Sequence, residues 1–258
     1  MKSVYERVAI EAALQAGHFI RRSVGRVRHI SYKDNSATNI VTDVDKRSEA
    51  MITRHLRRAF PGHAILAEET GRDKVRSPYV WIIDPLDGTS NFAHAFPFFC
   101  VSIGLEHNGR IVLGVVYDPN RNELFTAAAG KGARLNGKRI RVSGVRKLEK
   151  SFLATGFSYG KRRKGRNVRN FEALLTRTMA IRRAGSAALD LSYVACGRFD
   201  GFWELDLHPW DSAAGMLLVE EAGGAVSRFD GSTYSPHDKN ILATNGTIHR
   251  QMSRILTG

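Results

Sequence analysis

Apolar side chains recur every four residues near the start of the chain, as they do on one face of an α-helix. This spacing predicts an amphipathic helix that begins near Val4; the positions concerned are Val8, Ala12, Ala16 and Ile20. A second helical pattern covers residues 49–60 and is closed by Pro61-Gly62, a pair that stops helices. The chain is therefore expected to begin with two helices, separated by a polar stretch over residues 32–39 that leads into residues 40–45.

The pattern then changes to short runs of branched and aromatic residues divided by Gly, Asn and Pro, which is typical of consecutive β-strands. Strands are predicted at residues 63–67, 80–83, 99–106, 111–118 and 123–128. Asn108-Gly109 joins two of these runs and has the composition of a tight hairpin turn.

Helices and strands alternate in the second half of the chain. Strands are predicted at 152–156, 201–204, 225–229 and 241–244, and helices at 171–179, 187–196 and 211–222, with a basic loop before residue 171. Gly223-Gly224 suits a left-handed cap at the end of the final predicted helix. The pattern predicts a layered α/β protein, a single domain over residues 1–258 with a soft division into lobes 1–150 and 151–258.

The composition fits a folded enzyme-sized domain. The chain has 258 residues, of which 43% are hydrophobic, enough for a sizeable core. No apolar run approaches the roughly 20 residues of a membrane span, and acidic and polar residues interrupt any signal-like N-terminal segment. We therefore expect a cytoplasmic protein without a membrane partner, whose Cys100 and Cys196 are reduced thiols in apolar surroundings.

The net charge of +14 keeps a second class of function open. Such a charge attracts polyanions through long-range electrostatic fields. Basic residues are grouped in three places, at Arg21, Arg22, Arg26 and Arg28, at Lys138, Arg139 and Arg141, and at Lys161, Arg162, Arg163, Lys164, Arg166 and Arg169. A charge run is usually a solvated surface, but binding of nucleic acid remains an alternative.

Two carboxylates three residues apart follow a predicted strand. Asp84 and Asp87 lie in the sequence DPLDGT, and with the carbonyl of Leu86 they offer the oxygen ligands that Mg²⁺ prefers. Gly88 permits close backbone approach, and a helix beginning near Thr89 would present free N–H groups to a phosphate. The alternative is an ordinary Asp-Gly turn with Thr89 as a helix cap.

Other acidic residues at the ends of apolar segments have similar alternatives. Asp211 can be a helix N-cap, Glu68-Glu69 a solvated pair in a loop, and Asp45 simply the start of a helix.

Taken together, these motifs strongly resemble the lithium-sensitive inositol monophosphatase superfamily. Its pattern is a spaced Asp, then Glu-Glu, then DP[IL]DGT, then Trp-Asp followed by Gly-Gly. This chain has the parts in the same order across most of its length: Asp45, Glu68-Glu69, DPLDGT at 84–89, Trp210-Asp211 and Gly223-Gly224. The segments WIIDPLDGTSNF, YDPNRNELFTA and GSAALDLSYVACGRFDGFWE are most similar to the bacterial inositol-1-monophosphatase branch.

The resemblance implies a role for each motif residue. Glu68, Asp84 and the Leu86 carbonyl would hold one Mg²⁺, Asp84, Asp87 and Asp211 a second, and Glu68 would also face a third, weaker ion. Thr89, paired with Asp45, would position and help deprotonate the attacking water, while the amides of Gly88 and Thr89 would bind the phosphate. On the substrate side, Glu204 would accept hydrogen bonds from substrate hydroxyls, and Ala187 and Asp211 would line the same pocket.

The resemblance also implies a five-layered αβαβα sandwich and a homodimer. The implied activity is that of a Mg²⁺-dependent phosphomonoesterase on inositol 1-phosphate or another small phosphorylated metabolite. Relatives act on fructose 1,6-bisphosphate, dinucleotide phosphates and other monophosphates, and the metal motif does not discriminate among these substrates. The alternative function is a nucleic-acid or transcription-complex binding protein that uses its basic surface and whose phosphatase activity is secondary.

Overall fold

The structure is a computed structural model that describes residues 3–26, 30–32, 40–157 and 161–258. Its helices are α1 (Val4–Ser23), α2 (Asp43–Ala59), α3 (Thr89–Ala93), α4 (Lys161–Leu175), α5 (Ala187–Ala195), α6 (Pro209–Glu221) and α7 (His249–Thr257). Its strands are β1 (Ile30–Tyr32), β2 (Ile40–Thr42), β3 (Ala64–Ala67), β4 (Gly71–Arg72), β5 (Tyr79–Asp87), β6 (Cys100–His107), β7 (Arg110–Asp118), β8 (Glu123–Ala128), β9 (Gly132–Leu135), β10 (Lys138–Arg139), β11 (Phe152–Thr155), β12 (Ala180–Arg182), β13 (Gly201–Leu205), β14 (Ala225–Ser227) and β15 (Asn240–Thr244).

Two mixed sheets form the framework. The larger has eight strands in the order β10-β9-β8-β7-β6-β5-β3-β4, and the smaller has five in the order β12-β11-β13-β15-β14. In the larger sheet β3 and β5 are parallel, and in the smaller sheet β11 is parallel to both of its neighbours. The larger sheet uses strands that precede residue 150, and the smaller sheet uses strands that follow it.

The hydrophobic clusters define five layers. Helices α1 and α2 bury residues such as Ile20 and Ile52 against one face of the larger sheet. Helices α5 and α6 fill the space between the two sheets, and α4 and α7 cover the outer face of the smaller sheet through residues such as Leu174 and Met252. This arrangement confirms the expected αβαβα sandwich.

Two glycines let α6 approach the larger sheet closely. A Cβ on Gly104 would lie 3.1 Å from Cβ of Ala213, and one on Gly114 would lie 2.6 Å from the carbonyl oxygen of Ala214. Any larger side chain on β7 at position 114 would therefore push α6 away from the sheet. This contact matters for function because Asp211 lies in the first turn of α6.

Several local predictions are confirmed. The first helix, the strands β3, β5, β6, β7 and β8 of the larger sheet and the Asn108-Gly109 hairpin form where the pattern places them, with φ angles of 50° and 76° at the turn. Gly223 ends α6 with a φ of 87°, as expected for a left-handed cap.

Four local predictions are wrong. Helix α2 begins at Asp43 and not at residue 49, because Thr42 caps it and its hydroxyl accepts hydrogen bonds from the amides of Val44 and Asp45. The basic segment predicted as a loop belongs to helix α4, which ends at Leu175, because Lys and Arg are good helix formers and the helix covers the smaller sheet. Helix α6 begins at Pro209, two residues before Asp211, because proline is favoured in the first turn of a helix. The predicted final helix is followed by α7, which buries Met252 and Leu256.

Across the described residues, none of the helices has both the length and the apolar character needed to cross a membrane.

Candidate active site

A cavity of about 630 Å³ opens where the ends of β5, α5, β13 and α6 meet. Every residue proposed as a metal ligand from the sequence lines it, namely Glu68, Asp84, Leu86, Asp87 and Asp211. The residues proposed for the substrate side, Gly88, Thr89, Ala187 and Glu204, line it as well. Residues distant in the sequence are therefore brought to a single cavity, and only the proposed catalytic residue Asp45 lies behind its wall.

Three aspartates converge in this cavity. A carboxylate oxygen from each of Asp84, Asp87 and Asp211 lies within 4.8 Å of those from the other two. Asp84 and Asp87 are carried by β5, whose pairing with β6 is interrupted by a bulge between these two residues. The bulge is the local feature that distinguishes DPLD from a regular strand, in which residues three apart point to opposite faces.

Hydrogen bonds fix the orientation of Asp87. Its Oδ2 accepts hydrogen bonds from Ser186 Oγ and from the backbone N–H of Ala188, each at 2.7 Å. Ser186 is the N-cap of α5, so the start of this helix is bound directly to the candidate metal site.

Asp211 is held by its own helix. Its Oδ2 accepts a hydrogen bond from the backbone N–H of His208 at 2.6 Å. His208 is the N-cap of α6 and Asp211 is the third helical residue. The alternative of Asp211 as an N-cap residue is therefore wrong, although its carboxylate does satisfy an amide at the helix start.

Glu68 adds a fourth carboxyl group to the cavity. It follows β3 directly, in a half-buried turn over residues 68–70, and its amide donates a hydrogen bond to the carbonyl oxygen of Ile83 at 3.2 Å. Its charge acts on both Asp84 and Asp211. The alternative of a solvated loop pair therefore does not describe Glu68.

Burial and mutual repulsion make the ionised form of these acids unfavourable. Burial raises the pKa of Asp84 well above its usual range, and the charges of Glu68, Asp87 and Asp211 raise it further. Burial also raises the pKa of Asp87 to about 6, although hydrogen bonds from Ser186 and Ala188 oppose the shift. The pKa of Asp211 is raised by burial and then by Asp87 and Glu68.

A divalent cation fits this set of donors. All of the converging side chains offer oxygen, the ligand that Mg²⁺ prefers. Among the described residues, Asp84, Asp87 and Asp211 form no ion pair, whereas other buried or half-buried acids do, for example Asp73, Asp118 and Glu123. A bound cation would compensate the burial and the repulsion that raise the pKa values of these aspartates.

Thr89 connects the cavity to a buried carboxylate. Its Oγ1 lies 2.9 Å from Asp45 Oδ1 and 3.1 Å from the carbonyl oxygen of Leu86, and it can donate its single hydrogen to either. Asp45 is fully buried, and its Oδ2 accepts a hydrogen bond from the backbone N–H of Thr42 at 2.8 Å. Burial raises the pKa of Asp45, while hydrogen bonds from Thr42 and Thr89 lower it.

Gly88 has a conformation that few other residues adopt. Its φ is 95°, and a Cβ at this position would lie 2.9 Å from the carbonyl oxygen of Phe98. It precedes α3, which spans only the five residues Thr89–Ala93. The expected short helix after DPLDG is therefore present, with its first amides at the cavity.

The whole chain matches one known family. The model of the inositol monophosphatase family matches residues 1–257. The chain belongs to the inositol monophosphatase family. This assignment confirms the family suggested by the sequence motifs and the expected enzyme class, a phosphomonoesterase.

Similar proteins within this family carry two kinds of name. The chain is 48% identical over 251 residues to the inositol-1-monophosphatase of Synechocystis sp., covering 96% of this chain and 87% of the relative. It is also 48% identical over 245 residues to the Nus factor SuhB of Pseudomonas aeruginosa, covering 92% and 90%. The crystal structure of extragenic suppressor protein suhB from Bartonella henselae has a TM-score of 0.94 and 42% identity, with 98% of each chain covered.

The cavity of this inositol monophosphatase family member contains a further carboxyl group, that of Glu204. Glu204 on β13 is 8% exposed, and burial raises its pKa to about 8, opposed by the charge of Arg183. A Cβ on Gly156 would lie 2.2 Å from both carboxylate oxygens of Glu204. The absence of a side chain at position 156 therefore makes room for this carboxylate.

Asp190 is a cavity residue that the sequence motifs do not identify. It lies on α5, is 1% exposed and lines the cavity, and its Oδ1 has no hydrogen-bond partner among the described residues. Burial raises its pKa well above the usual range, and Glu204 and Asp87 raise it further. The signal that could have identified it is a lone carboxylate in an otherwise uncharged helix, AALDLSYVA.

Proposed function

We propose that this protein hydrolyses inositol 1-phosphate or a related small phosphomonoester with the help of Mg²⁺. The observation that carries the proposal is the convergence of Asp84, Asp87 and Asp211 within 4.8 Å. They share their cavity with Glu68 and with Glu204. The acidic group suits cations, and the remaining polar wall suits a substrate rich in hydroxyl groups.

The proposed ligands are divided between the ions as the family resemblance implies. One Mg²⁺ would be held by Glu68, Asp84 and the Leu86 carbonyl, a second by Asp84, Asp87 and Asp211, and a third, weaker one would face Glu68. Bound Mg²⁺ neutralises phosphate oxygens, makes water more acidic and stabilises a leaving alkoxide.

Thr89 and Asp45 are proposed to handle the proton of the attacking water. While Thr89 Oγ1 donates its hydrogen to Asp45, its lone pairs remain directed elsewhere and can accept a hydrogen bond from water. The 2.9 Å contact with Asp45 Oδ1 supports this orientation. Asp45 is fully buried, and Thr89, which lines the cavity, connects its carboxylate to the proposed position of the water.

The substrate residues follow from their place in the cavity. Glu204 is proposed to accept hydrogen bonds from substrate hydroxyls, and Ala187 and Asp211 to contact the same part of the substrate. The amides of Gly88 and Thr89 are proposed to bind the phosphate. Arg183 also lines the cavity, where its positive charge suits an anionic substrate.

Phosphate release from purified protein tests the proposal. Inositol 1-phosphate, fructose 1,6-bisphosphate, a dinucleotide phosphate and 3′-phosphoadenosine 5′-phosphate are compared at saturating Mg²⁺, with EDTA-treated protein as the control. We expect release that depends on Mg²⁺, is fastest with one member of the panel and is inhibited by Li⁺. No release from any compound by folded, Mg²⁺-loaded protein would contradict the proposal.

The charge distribution favours RNA binding as a second candidate function. The net charge is +14, and Arg166 and Arg169 are exposed on α4 while Arg21 and Arg22 are exposed at the end of α1. Phosphate backbones bind such surfaces without sequence preference. The side chains of residues 161–164, and residue 28, lie outside the described residues.

Salt-dependent binding separates this function from catalysis. We expect RNA affinity to fall steeply with salt and to persist in Asp87→Asn, but to fall in the double variant Arg166→Glu/Arg169→Glu. Arg110 is exposed in the β6–β7 hairpin, and Arg110→Glu is the control for the effect of a changed net charge alone. Binding that is undetectable or insensitive to salt would exclude the second function.

We further propose a homodimer located in the cytoplasm. The family resemblance supports the dimer, and Phe96, whose side chain is 53% exposed, is an apolar surface residue at which an interface can be tested. Sedimentation velocity of the wild type and of Phe96→Ser tests the dimer, and a monomeric wild type would contradict it. Cell fractionation tests the location.

A further inference from the structure

One face of α2 contacts separate segments of the candidate metal site. Asp45, Ser48 and Glu49 lie at positions i, i+3 and i+4, which share a face of an α-helix, and their exposed fractions are 0%, 0% and 2%. Asp45 accepts the hydrogen bond from Thr89 described above. Ser48 Oγ donates to the carbonyl oxygen of Pro85 at 2.8 Å, in the segment between Asp84 and Leu86.

Glu49 makes the third of these contacts. Its Oε2 accepts a hydrogen bond from the backbone N–H of Glu69 at 2.7 Å. That N–H belongs to the peptide bond directly after Glu68. The helix therefore reaches the backbone beside the one proposed side-chain ligand that no strand or helix carries.

Glu68 depends on its neighbours for its position. Asp84 and Asp87 belong to β5 and Asp211 to α6, whereas Glu68 lies in the turn after β3. On its N-terminal side, the hydrogen bond to the Ile83 carbonyl continues the pairing of β3 with β5. On its C-terminal side, the backbone is held by the hydrogen bond from the Glu69 amide to Glu49.

The carboxylate of Glu49 can hold the Glu69 amide in a defined position. A hydrogen bond from an amide to a carboxylate is shorter and stronger than one between neutral groups. The other oxygen, Oε1, is buried without a hydrogen-bond partner in the described part of the chain, which is costly for a carboxylate. The contact with Glu69 is thus the interaction that gives this buried side chain a defined place.

We propose that Glu49 is a positioning residue that holds the peptide bond between Glu68 and Glu69 and thereby sets the affinity of the site for Mg²⁺. The inference rests on the proposed function, because Glu68 is a metal ligand only within that proposal. Glu49 acts through the backbone of Glu68 and contacts neither substrate nor ion.

Two substitutions separate positioning from charge. Glu49→Gln removes the charge but keeps an oxygen that accepts the Glu69 N–H, whereas Glu49→Met has a similar volume and no such acceptor. Calorimetric titration of the metal-free proteins with Mg²⁺ is the first readout. We expect Glu49→Gln to bind within about threefold of the wild type and Glu49→Met at least about tenfold more weakly, since only the methionine variant lacks an acceptor for the Glu69 N–H.

Thr53 supplies a matched control on the same helix, one turn after Glu49. Its Oγ1 is also buried without a hydrogen-bond partner among the described residues, so Thr53→Val removes a polar atom near Glu49 and leaves the hydrogen bond between Glu49 and Glu69 in place. We expect unchanged Mg²⁺ affinity in this variant. In steady-state assays, Glu49→Met should need more Mg²⁺ for half-maximal rate and should regain kcat at high Mg²⁺, with an unchanged KM for substrate.

Other outcomes would overturn the inference. Equal weakening in Glu49→Gln and Glu49→Met would assign the effect to charge, and wild-type affinity in Glu49→Met would show that the contact has no influence. If Glu49→Met does not fold, hydrogen exchange of the Glu69 amide in the wild type decides, since rapid exchange would show that the contact is not maintained. A wild type that binds no Mg²⁺ and releases no phosphate would instead refute the proposed function.

Discussion

Replacing Asp87 with asparagine should stabilise the metal-free protein while removing its activity. Asp87 is 8% exposed, and burial raises the pKa of its carboxyl from 3.8 to about 6. The folded protein then keeps a proton that the unfolded chain releases, so stability falls as the pH rises from about 4 to about 6. A shift of about two pKa units corresponds to a loss of about 3 kcal/mol.

Asparagine avoids this loss because it has no proton to release. Its Oδ1 can still accept the hydrogen bonds from Ser186 and Ala188 that hold Asp87. We therefore expect Asp87→Asn to be more stable than the wild type in EDTA. The difference in the free energy of unfolding should be about 3 kcal/mol at pH 7.5 and about half of that value at pH 5. Mg²⁺ should stabilise the wild type but not the variant, and phosphate release should fall at least about a thousandfold.

Urea unfolding in EDTA at the two pH values measures these differences. Asp118→Asn is the control, because Asp118 is also buried but forms an ion pair with Arg121 at 2.9 Å. Removing that paired charge should destabilise the protein at pH 7.5. If Asp87→Asn were less stable than the wild type at pH 7.5 in EDTA, the interpretation of Asp87 as a buried carboxylate that requires a cation would be wrong.

Further predictions concern the substrate side and the pH dependence of metal binding. Glu204→Gln should raise KM for inositol 1-phosphate at least about tenfold with little change in Mg²⁺ affinity, and an unchanged KM would remove Glu204 from the substrate site. Gly156→Ala should have the same effect, because the added Cβ would displace the Glu204 carboxylate; wild-type kinetics would contradict this. Asp190→Asn should raise the melting temperature of the metal-free protein at pH 8, and a lower one would show that its carboxylate is stabilised there. Because Asp87 holds a proton up to about pH 6, Mg²⁺ binding should release protons and tighten between pH 5 and 7; calorimetry in buffers of different ionisation enthalpy would contradict this by showing no proton release.

Much of the candidate site could be predicted because its residues occupy positions with local signals. Asp84 and Asp87 stand where an apolar strand ends, and Asp211 stands where Pro209 starts a helix. Only the family resemblance predicts that these separate segments form one site, because no local pattern contains that information. In the structure, the three aspartates converge in one cavity.

The rest depends on packing between distant segments. Glu49 looks in sequence like an ordinary polar residue of an amphipathic helix, and its burial follows only from the approach of the turn at Glu69. Asp190 is hidden in the same way, because α5 is buried on all sides between two sheets. The basic segment of α4 reads as a loop in the sequence because it is rich in charged residues. It forms a stable helix only when it packs on the smaller sheet.

Anomalous diffraction from crystals soaked with Mn²⁺ and inorganic phosphate tests the central claim most directly, since Mn²⁺ accepts the same oxygen ligands as Mg²⁺. We expect peaks between the carboxylates of Glu68, Asp84, Asp87 and Asp211, with phosphate beside Thr89. A fully occupied soak with Mn²⁺ bound only elsewhere on the protein, and none among these four side chains, would contradict the account.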